Sequence, residues 1–290
     1  MPGKNNWVQL TYDGLPQRLS RESFQIDFTG TTNRVISFQQ ACAESAHEIH
    51  DAYGKIHISL SGGCDSECVA NSFYNAQIPF TPVIISLGDQ NYHDIRFALR
   101  WCEKRNIQPV VLEFTLDQWI GELSKTQAKI KNRMWWGLHN VWLADWVKEH
   151  NSHLLTGCCD LQLLPEHTLQ SDYPELNRNY RGHYVQWECD YAVDQYDPGY
   201  HPNGFFVWKP EMILAFLNAR DPEWSNEEAK WYVYEVQPRP KYAGCEYAEA
   251  ESAVAKKYFD RSRKLQKFIG KHDWIIAGTK ETLWQKLYAA

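Results

Sequence analysis

The chain has 290 residues, 43% hydrophobic and 23% charged, which is ordinary globular usage and excludes disorder as its general state. Thirty basic side chains against 36 acidic ones leave a formal charge of −6, the reverse of what a generic duplex-binding protein carries. The longest apolar runs, such as Pro82-Val83-Ile84-Ile85, are strand-sized and far short of the roughly 20 residues that cross a membrane.

Residues 1–36 alternate polar and apolar in short stretches, as in Ser23-Phe24-Gln25-Ile26-Asp27-Phe28, and predict a small antiparallel β meander. The first six residues contain no apolar signal region, and none of the eight cysteines (42, 64, 68, 102, 158, 159, 189 and 245) forms a CxxC pair. The expectation is a reduced, cytoplasmic chain with mostly structural thiols. Ser37 then caps a helix with Phe38, Ala41, Cys42, Ser45, Ile49 and Ala52 at helical spacing, and Gly54 is its stop.

A regular alternation follows: strand 55–60, helix 65–76, strand 80–87, helix 91–105, strand 110–114, one long helix 125–149 and strand 153–156. Strand and helix in turn, joined by short links, predict a parallel sheet covered on both faces. Beyond 165 the pattern loosens into loops over 170–205 with room for one hairpin. A helix over 209–218 has Pro210 in its first turn, and further helices are expected over 225–236 and 246–269.

The sharpest chemical signal is Ser61-Gly62-Gly63-Cys64-Asp65-Ser66, running from a buried strand straight into a helix. Adjacent glycines allow positive φ and a close backbone approach to an anion, and N–H groups at a helix start polarise toward phosphate. Ser61 and Ser66 add hydroxyl donors, and Asp65 is a carboxylate of the kind that holds Mg²⁺ beside pyrophosphate. The lysine and spacing of a Walker A loop are absent. A Gly-Gly pair alone also serves as a plain turn; the full run after a strand points to phosphate.

This run resembles the PP-loop of the N-type ATP pyrophosphatases, closest in appearance to the synthetase domain of asparagine synthetase without its glutaminase domain. The resemblance spans about residues 37–245. It implies a doubly wound parallel α/β sheet of five-stranded type, adenine nucleotide alpha hydrolase-like, with a β extension over 1–36 and a helical C-terminal region over 246–290. It also implies ATP and Mg²⁺: ATP is split to AMP and pyrophosphate, activating a carboxylate or amide oxygen of a small-molecule acceptor for attack by ammonia or an amine.

Site residues carry over by position. Leu154-Leu155-Thr156-Gly157-Cys158-Cys159-Asp160 looks like the segment whose glycine and acid face pyrophosphate and metal, making Asp160 a second metal ligand beside Asp65. Asp160 lies one residue nearer the glycine than the family spaces it, and cysteine stands where the family has glutamate. A turn after the strand is the alternative reading. Arg239-Pro240-Lys241 is similar to the family's Arg-x-Lys segment, whose cations meet the triphosphate, and a solvated basic turn is the alternative. Adenine recognition maps to Ser59 and Leu60, and to Ser86 and Leu87. Asp94 occupies a position that is often acidic in the family, and Lys209-Pro210-Glu211 resembles a segment that shapes the acceptor pocket.

With Pro2 at the start and about 36 residues before the synthetase-like part, nitrogen is expected from free ammonia, a separate subunit or an amine within the substrate. The rival readings are a sulfur or nitrogen transferase acting on tRNA, with Cys158 and Cys159 as reactive thiols, and a non-catalytic nucleotide-binding or structural descendant. Against the first, no cation adjoins those thiols in sequence to lower their pKa. His139, His153, His167 and His183 lack metal-ligand spacing, and the basic run Lys256, Lys257, Arg261, Arg263, Lys264 and Lys267 reads as the solvated face of a helix.

Overall fold

A computed structural model describes residues 8–12, 24–28, 31–129, 138–157, 161–164, 184–188, 204–221, 223–239, 274–279, 285 and 288. Val8–Tyr12 (β1) and Phe24–Phe28 (β2) pair antiparallel, with Leu10 opposite Ile26, as the alternation at the start predicts. Phe38–Tyr53 forms α1. Ser37 caps it by accepting the Gln40 N–H at 3.1 Å, and Gly54 ends it at φ 70° with its N–H on the His50 carbonyl.

Four strands then form an all-parallel sheet: Ile56–Ser59 (β3), Thr81–Ser86 (β4), Val110–Glu113 (β5) and His153–Leu155 (β6), in the order β5-β4-β3-β6. The helices between them are Cys64–Asn75 (α2), Tyr92–Lys104 (α3), Leu116–Lys129 (α4) and Leu138–Glu149 (α5). Side-chain alternation along each strand decides which helices it meets. Ile56, Ile58 and Leu155 face α1 and α2, Ile84 faces α2 and α3, and Val83 and Leu154 face α5 on the other side. Both faces are therefore covered, which is why these strands read as continuous apolar runs. Each such side chain, essentially sealed from solvent, stabilises the fold by about 1.5–3 kcal/mol.

The sheet reverses its winding at β3. The chain steps outward from β3 to β4 and β5, then returns to lay β6 on the opposite side of β3. In open α/β sheets such a reversal opens a crevice at the carboxyl ends of the two strands, here beyond Ser59 and Leu155. Next to β6 a single parallel bridge, Thr156 with Gly204, marks where a fifth strand would lie; among the described residues it remains a bridge.

Pro210–Ala219 (α6) and Asn226–Val233 (α7) complete the face that holds α1. Ser225 and Glu228 form a capping box at the start of α7, and the buried Arg220 donates to Asn226 Oδ1 at 2.7 Å and to the Trp224 carbonyl at 2.9 Å. Phe38 and Phe206 stack on Tyr234 with centroids 5.4 and 5.0 Å away, which pins the far end of α7. Lys209, expected to shape an acceptor pocket, is buried at the start of α6 and donates to Glu44 and Glu48 at 2.8 Å each. It ties α6 to α1.

Two expectations change. The single helix over 125–149 is instead α4 and α5, and α4 starts nine residues earlier than that reading. A reciprocal cap sets the start: Gln118 N–H donates to Thr115 Oγ1 at 3.2 Å, and Thr115 N–H donates to Gln118 Oε1 at 2.8 Å. Within the C-terminal region, Trp274–Thr279 (β9) is a strand, rich in the aromatic and β-branched residues that suit one. It pairs with Tyr184–Glu188 (β8), which pairs in turn with Leu161–Leu164 (β7), all antiparallel. Of the hairpin expected within 170–205, the described residues hold only β8, and both strands it pairs with lie outside that range. The helices expected over 246–269 lie outside the described residues. No helix among the described residues is long and apolar enough to cross a membrane.

One strand residue gives the fold an acid limit. His57 on β3 is buried, and burial, helped by Lys55 and His150, lowers its pKa to about 4. Ser152 spends its hydroxyl proton on the Lys55 carbonyl, so its oxygen accepts from His57 Nδ1 at 2.6 Å and the ring stays neutral. Between pH 6.5 and about 4 the unfolded chain binds the extra proton. Stability therefore rises with pH through that window and is lost as pH falls, by on the order of 3 kcal/mol. Urea unfolding of the wild type from pH 7 to pH 4 is expected to show this slope, and His57→Gln is expected to flatten it.

Candidate functional site

At the winding reversal the run from Ser59 to Ser66 leaves the carboxyl end of β3 and enters α2. Gly62 has φ 94°, and a Cβ built on it would meet the Asp94 carbonyl oxygen at 2.1 Å, so only glycine fits where the loop passes the first turn of α3. Gly63 differs from the expectation of two left-handed glycines. Its φ is −75°, and its Cβ would meet only Ser61 Oγ, at an ordinary 3.6 Å. The loop is stitched internally. Gly63 N–H donates to Ser61 Oγ at 3.4 Å, Ser66 Oγ donates to the Gly63 carbonyl at 3.1 Å, and the two hydroxyl oxygens are 3.1 Å apart.

Gly63 is the N-cap of α2 and, lacking a side chain, makes no side-chain cap hydrogen bond to the first turn. Such a terminus carries partial positive charge and suits an anion. Asp65 and Glu67 stand in the same turn, and each is met by a cation from the far end of the chain. Lys230 on α7 lies 2.8 Å from Asp65 Oδ1 and 2.9 Å from Oδ2. Arg239 donates to the Gly62 carbonyl, pairs with Glu67, and sits over the Phe97 ring of α3 at 4.7 Å from its centroid. Burial pulls the Arg239 guanidinium below its usual range, yet an arginine so paired keeps its charge. The same burial pushes the Cys64 thiol up, outweighing the pull of Arg239, so Cys64 is a protonated thiol at neutral pH.

Gly157 follows β6 and closes the other wall. A Cβ there would lie 2.7 Å from the Asp65 carbonyl carbon and 2.7 Å from the Ser66 N, so its lack of a side chain lets the end of β6 touch the start of α2. At the strand ends, Leu60 N–H donates to the Val83 carbonyl at 2.8 Å and Leu87 N–H to Asn91 Oδ1 at 2.8 Å. Those two donors are spent, and a base meeting these residues would use other groups. Ser59 ends β3 opposite Val83; Ser86 ends β4 with its Oγ accepting the Gly88 N–H at 3.3 Å. The Asp94 carboxylate lies 3.3 Å from His93 Nε2.

The fold thus gathers Ser61, Gly62, Gly63, Cys64, Asp65, Ser66, Gly157 and Arg239 at one point. Asp160 and Lys241 lie outside the described residues, as do Cys158 and Cys159. Lys230 escaped the sequence reading: its partner is 165 residues away, and nothing local distinguishes it from any lysine on a solvated helix. The donor chemistry suits magnesium, which takes one or two carboxylates and fills its remaining positions with phosphate oxygens and water. Asp65 supplies one such carboxylate.

No model of a known protein family matches the chain, and no curated protein matches it by sequence. Among solved structures, an ammonia-dependent NAD synthetase of Campylobacter jejuni is 21% identical over 42% of this chain and 56% of its own, with a TM-score of 0.31. An NMN synthetase of Francisella tularensis is 12% identical over 79% and 97%, with a TM-score of 0.35. A U34-tRNA thiolase of Methanococcus maripaludis with its [4Fe–4S] cluster is 15% identical over 86% and 77%, with a TM-score of 0.37. The chain spans just over half the length of the first of these.

Proposed function

We propose that this chain is an AMP-forming, PP-loop type ATP pyrophosphatase that adenylates a carboxylate or amide oxygen on a small acceptor for attack by ammonia or an amine. One observation carries the reading. At the reversal point of a parallel sheet, a glycine loop leads into a helix start with no side-chain cap, and two cations from a segment more than 160 residues later converge on it.

In this reading the triphosphate lies along the loop with its β and γ groups on the first-turn N–H groups of α2. The acceptor oxygen attacks the α-phosphorus, the bond from that phosphorus to the bridging oxygen breaks, and pyrophosphate leaves with the electron pair onto the loop. The amine then displaces AMP from the activated carbon. Arg239 holds the Gly62 carbonyl back from the phosphate, which keeps the loop N–H groups turned toward it. Preorganised donors of this kind contribute on the order of 3 kcal/mol to such a step. Asp65, with Asp160 as a second candidate, would hold Mg²⁺, which when bound offsets charge growing on the leaving phosphates.

Cys64, the described thiol of the loop, is half-buried, and that burial pushes its thiol up and disfavours a thiolate at that position. ATP–pyrophosphate exchange over a panel of carboxylic acids and amides tests the proposal, beside thermal shifts with ATP, AMP and pyrophosphate. Exchange that depends on one class of acid is the expected result. ATP binding without exchange would assign the chain to a non-catalytic role, and copurifying tRNA with loss of function on Cys158→Ser would assign it to tRNA modification.

A further inference from the structure

We propose that Lys230 is a tethered counter-ion that occupies Asp65 until nucleotide arrives, so that the chain takes up its divalent cation only together with a polyphosphate. This rests on the phosphate-loop reading above and specifies how that site is loaded.

The ammonium straddles both oxygens of the Asp65 carboxylate, at 2.8 and 2.9 Å. A metal ion approaching Asp65 therefore meets a positive charge already in place, and must displace it from both oxygens. The two side chains are 17% and 28% exposed, sheltered enough to strengthen the pair yet within reach of ions from solvent. The backbone that presents Lys230 is fixed, by the capping box at Ser225 and Glu228 on one side and the stack on Tyr234 on the other. The lysine stem carries four rotatable carbons, which allow the ammonium to swing a few ångströms while α7 stays in place.

Charge decides when it swings. Lys230 pairs with Asp65 and Arg239 with Glu67 before any ligand is present. A polyphosphate brings several negative charges against the start of α2 and offers the ammonium a better partner. Asp65 is then released to the metal that accompanies the phosphates. By linkage, whatever nucleotide adds to metal affinity at Asp65, metal adds equally to nucleotide affinity. Lys230 is thus a positioning residue, acting through Asp65.

The test is binding of Mn²⁺ alone, followed by the electron paramagnetic resonance signal of the free ion, to the full chain without nucleotide. Lys230→Met keeps most of the stem and removes the charge, and Lys230→Gln serves if the methionine variant does not fold. Loss of a partly sheltered competing pair is expected to tighten Mn²⁺ binding roughly three- to tenfold, and adding Asp65→Asn is expected to abolish the gain. A purely structural Lys230 would leave Mn²⁺ affinity unmoved. If the variant binds Mn²⁺ alone no better than wild type while both bind Mn²⁺·ATP, the counter-ion role is overturned and the phosphate-loop reading survives. If neither protein binds Mn²⁺·ATP, that reading falls and the counter-ion role falls with it.

Discussion

Gly62→Ala is expected to lower stability by roughly 4 kcal/mol, while Gly63→Ala keeps the fold and loses nucleotide. At Gly62 two costs add. A side chain at φ 94° is strained on its own, and the new methyl would sit 2.1 Å from the Asp94 carbonyl oxygen, a backbone atom that moves only with the start of α3. Thermal unfolding should fall by about 10 °C for a chain of this size. Gly63 is already extended, and its methyl would meet only Ser61 Oγ at 3.6 Å. There the entropy gained by replacing glycine roughly offsets the poorer N-cap, leaving stability within about 1 kcal/mol of wild type. The methyl would stand on the N-cap residue of α2, on the approach that the proposed reading gives to phosphate, and ATP affinity measured by calorimetry is expected to drop at least about tenfold. Equal ATP affinity in wild type and Gly63→Ala would mean that phosphate does not approach the loop on that side.

Asp65→Asn is expected to remove ATP–pyrophosphate exchange, by at least about 100-fold, with the protein still folded. The amide preserves shape and takes away the charge that a metal requires. The structural cost is modest, because the pair with Lys230 is partly solvated; with the lost favourable charge at a helix start it amounts to about 1–2 kcal/mol. Circular dichroism and thermal unfolding separate that cost from chemistry. Exchange retained in Asp65→Asn would show that the metal anchor is elsewhere, with Asp160 the next residue to change.

Much of the site was readable because its signals are local. Ser61-Gly62-Gly63 breaks a strand, α2 starts at once, and both facts follow from a few adjacent residues whose backbone preferences need no partner. Helix caps are local in the same way at Ser37 and Gly54; the Thr115–Gln118 cap is equally local, and it starts α4 nine residues before the helix expected from apolar spacing. β9 is not legible locally for another reason: a strand of six residues is fixed only by its neighbour, and the neighbour β8 is nearly ninety residues earlier.

Sequence alone determined the alternation of strand and helix, the glycine loop, and the types of residue that chemistry on phosphate requires, since each is fixed within a few residues by backbone sterics and apolar period. Tertiary structure decided the rest. It set the order β5-β4-β3-β6 that puts the crevice beside Ser61, and gave Gly157 its place as a contact surface for the start of α2. It also brought Lys230 and Arg239 onto Asp65 and Glu67. Charges interact through space, and a pair separated by 165 positions along the chain becomes a pair only when the packing of α7 against α2 brings it within 3 Å.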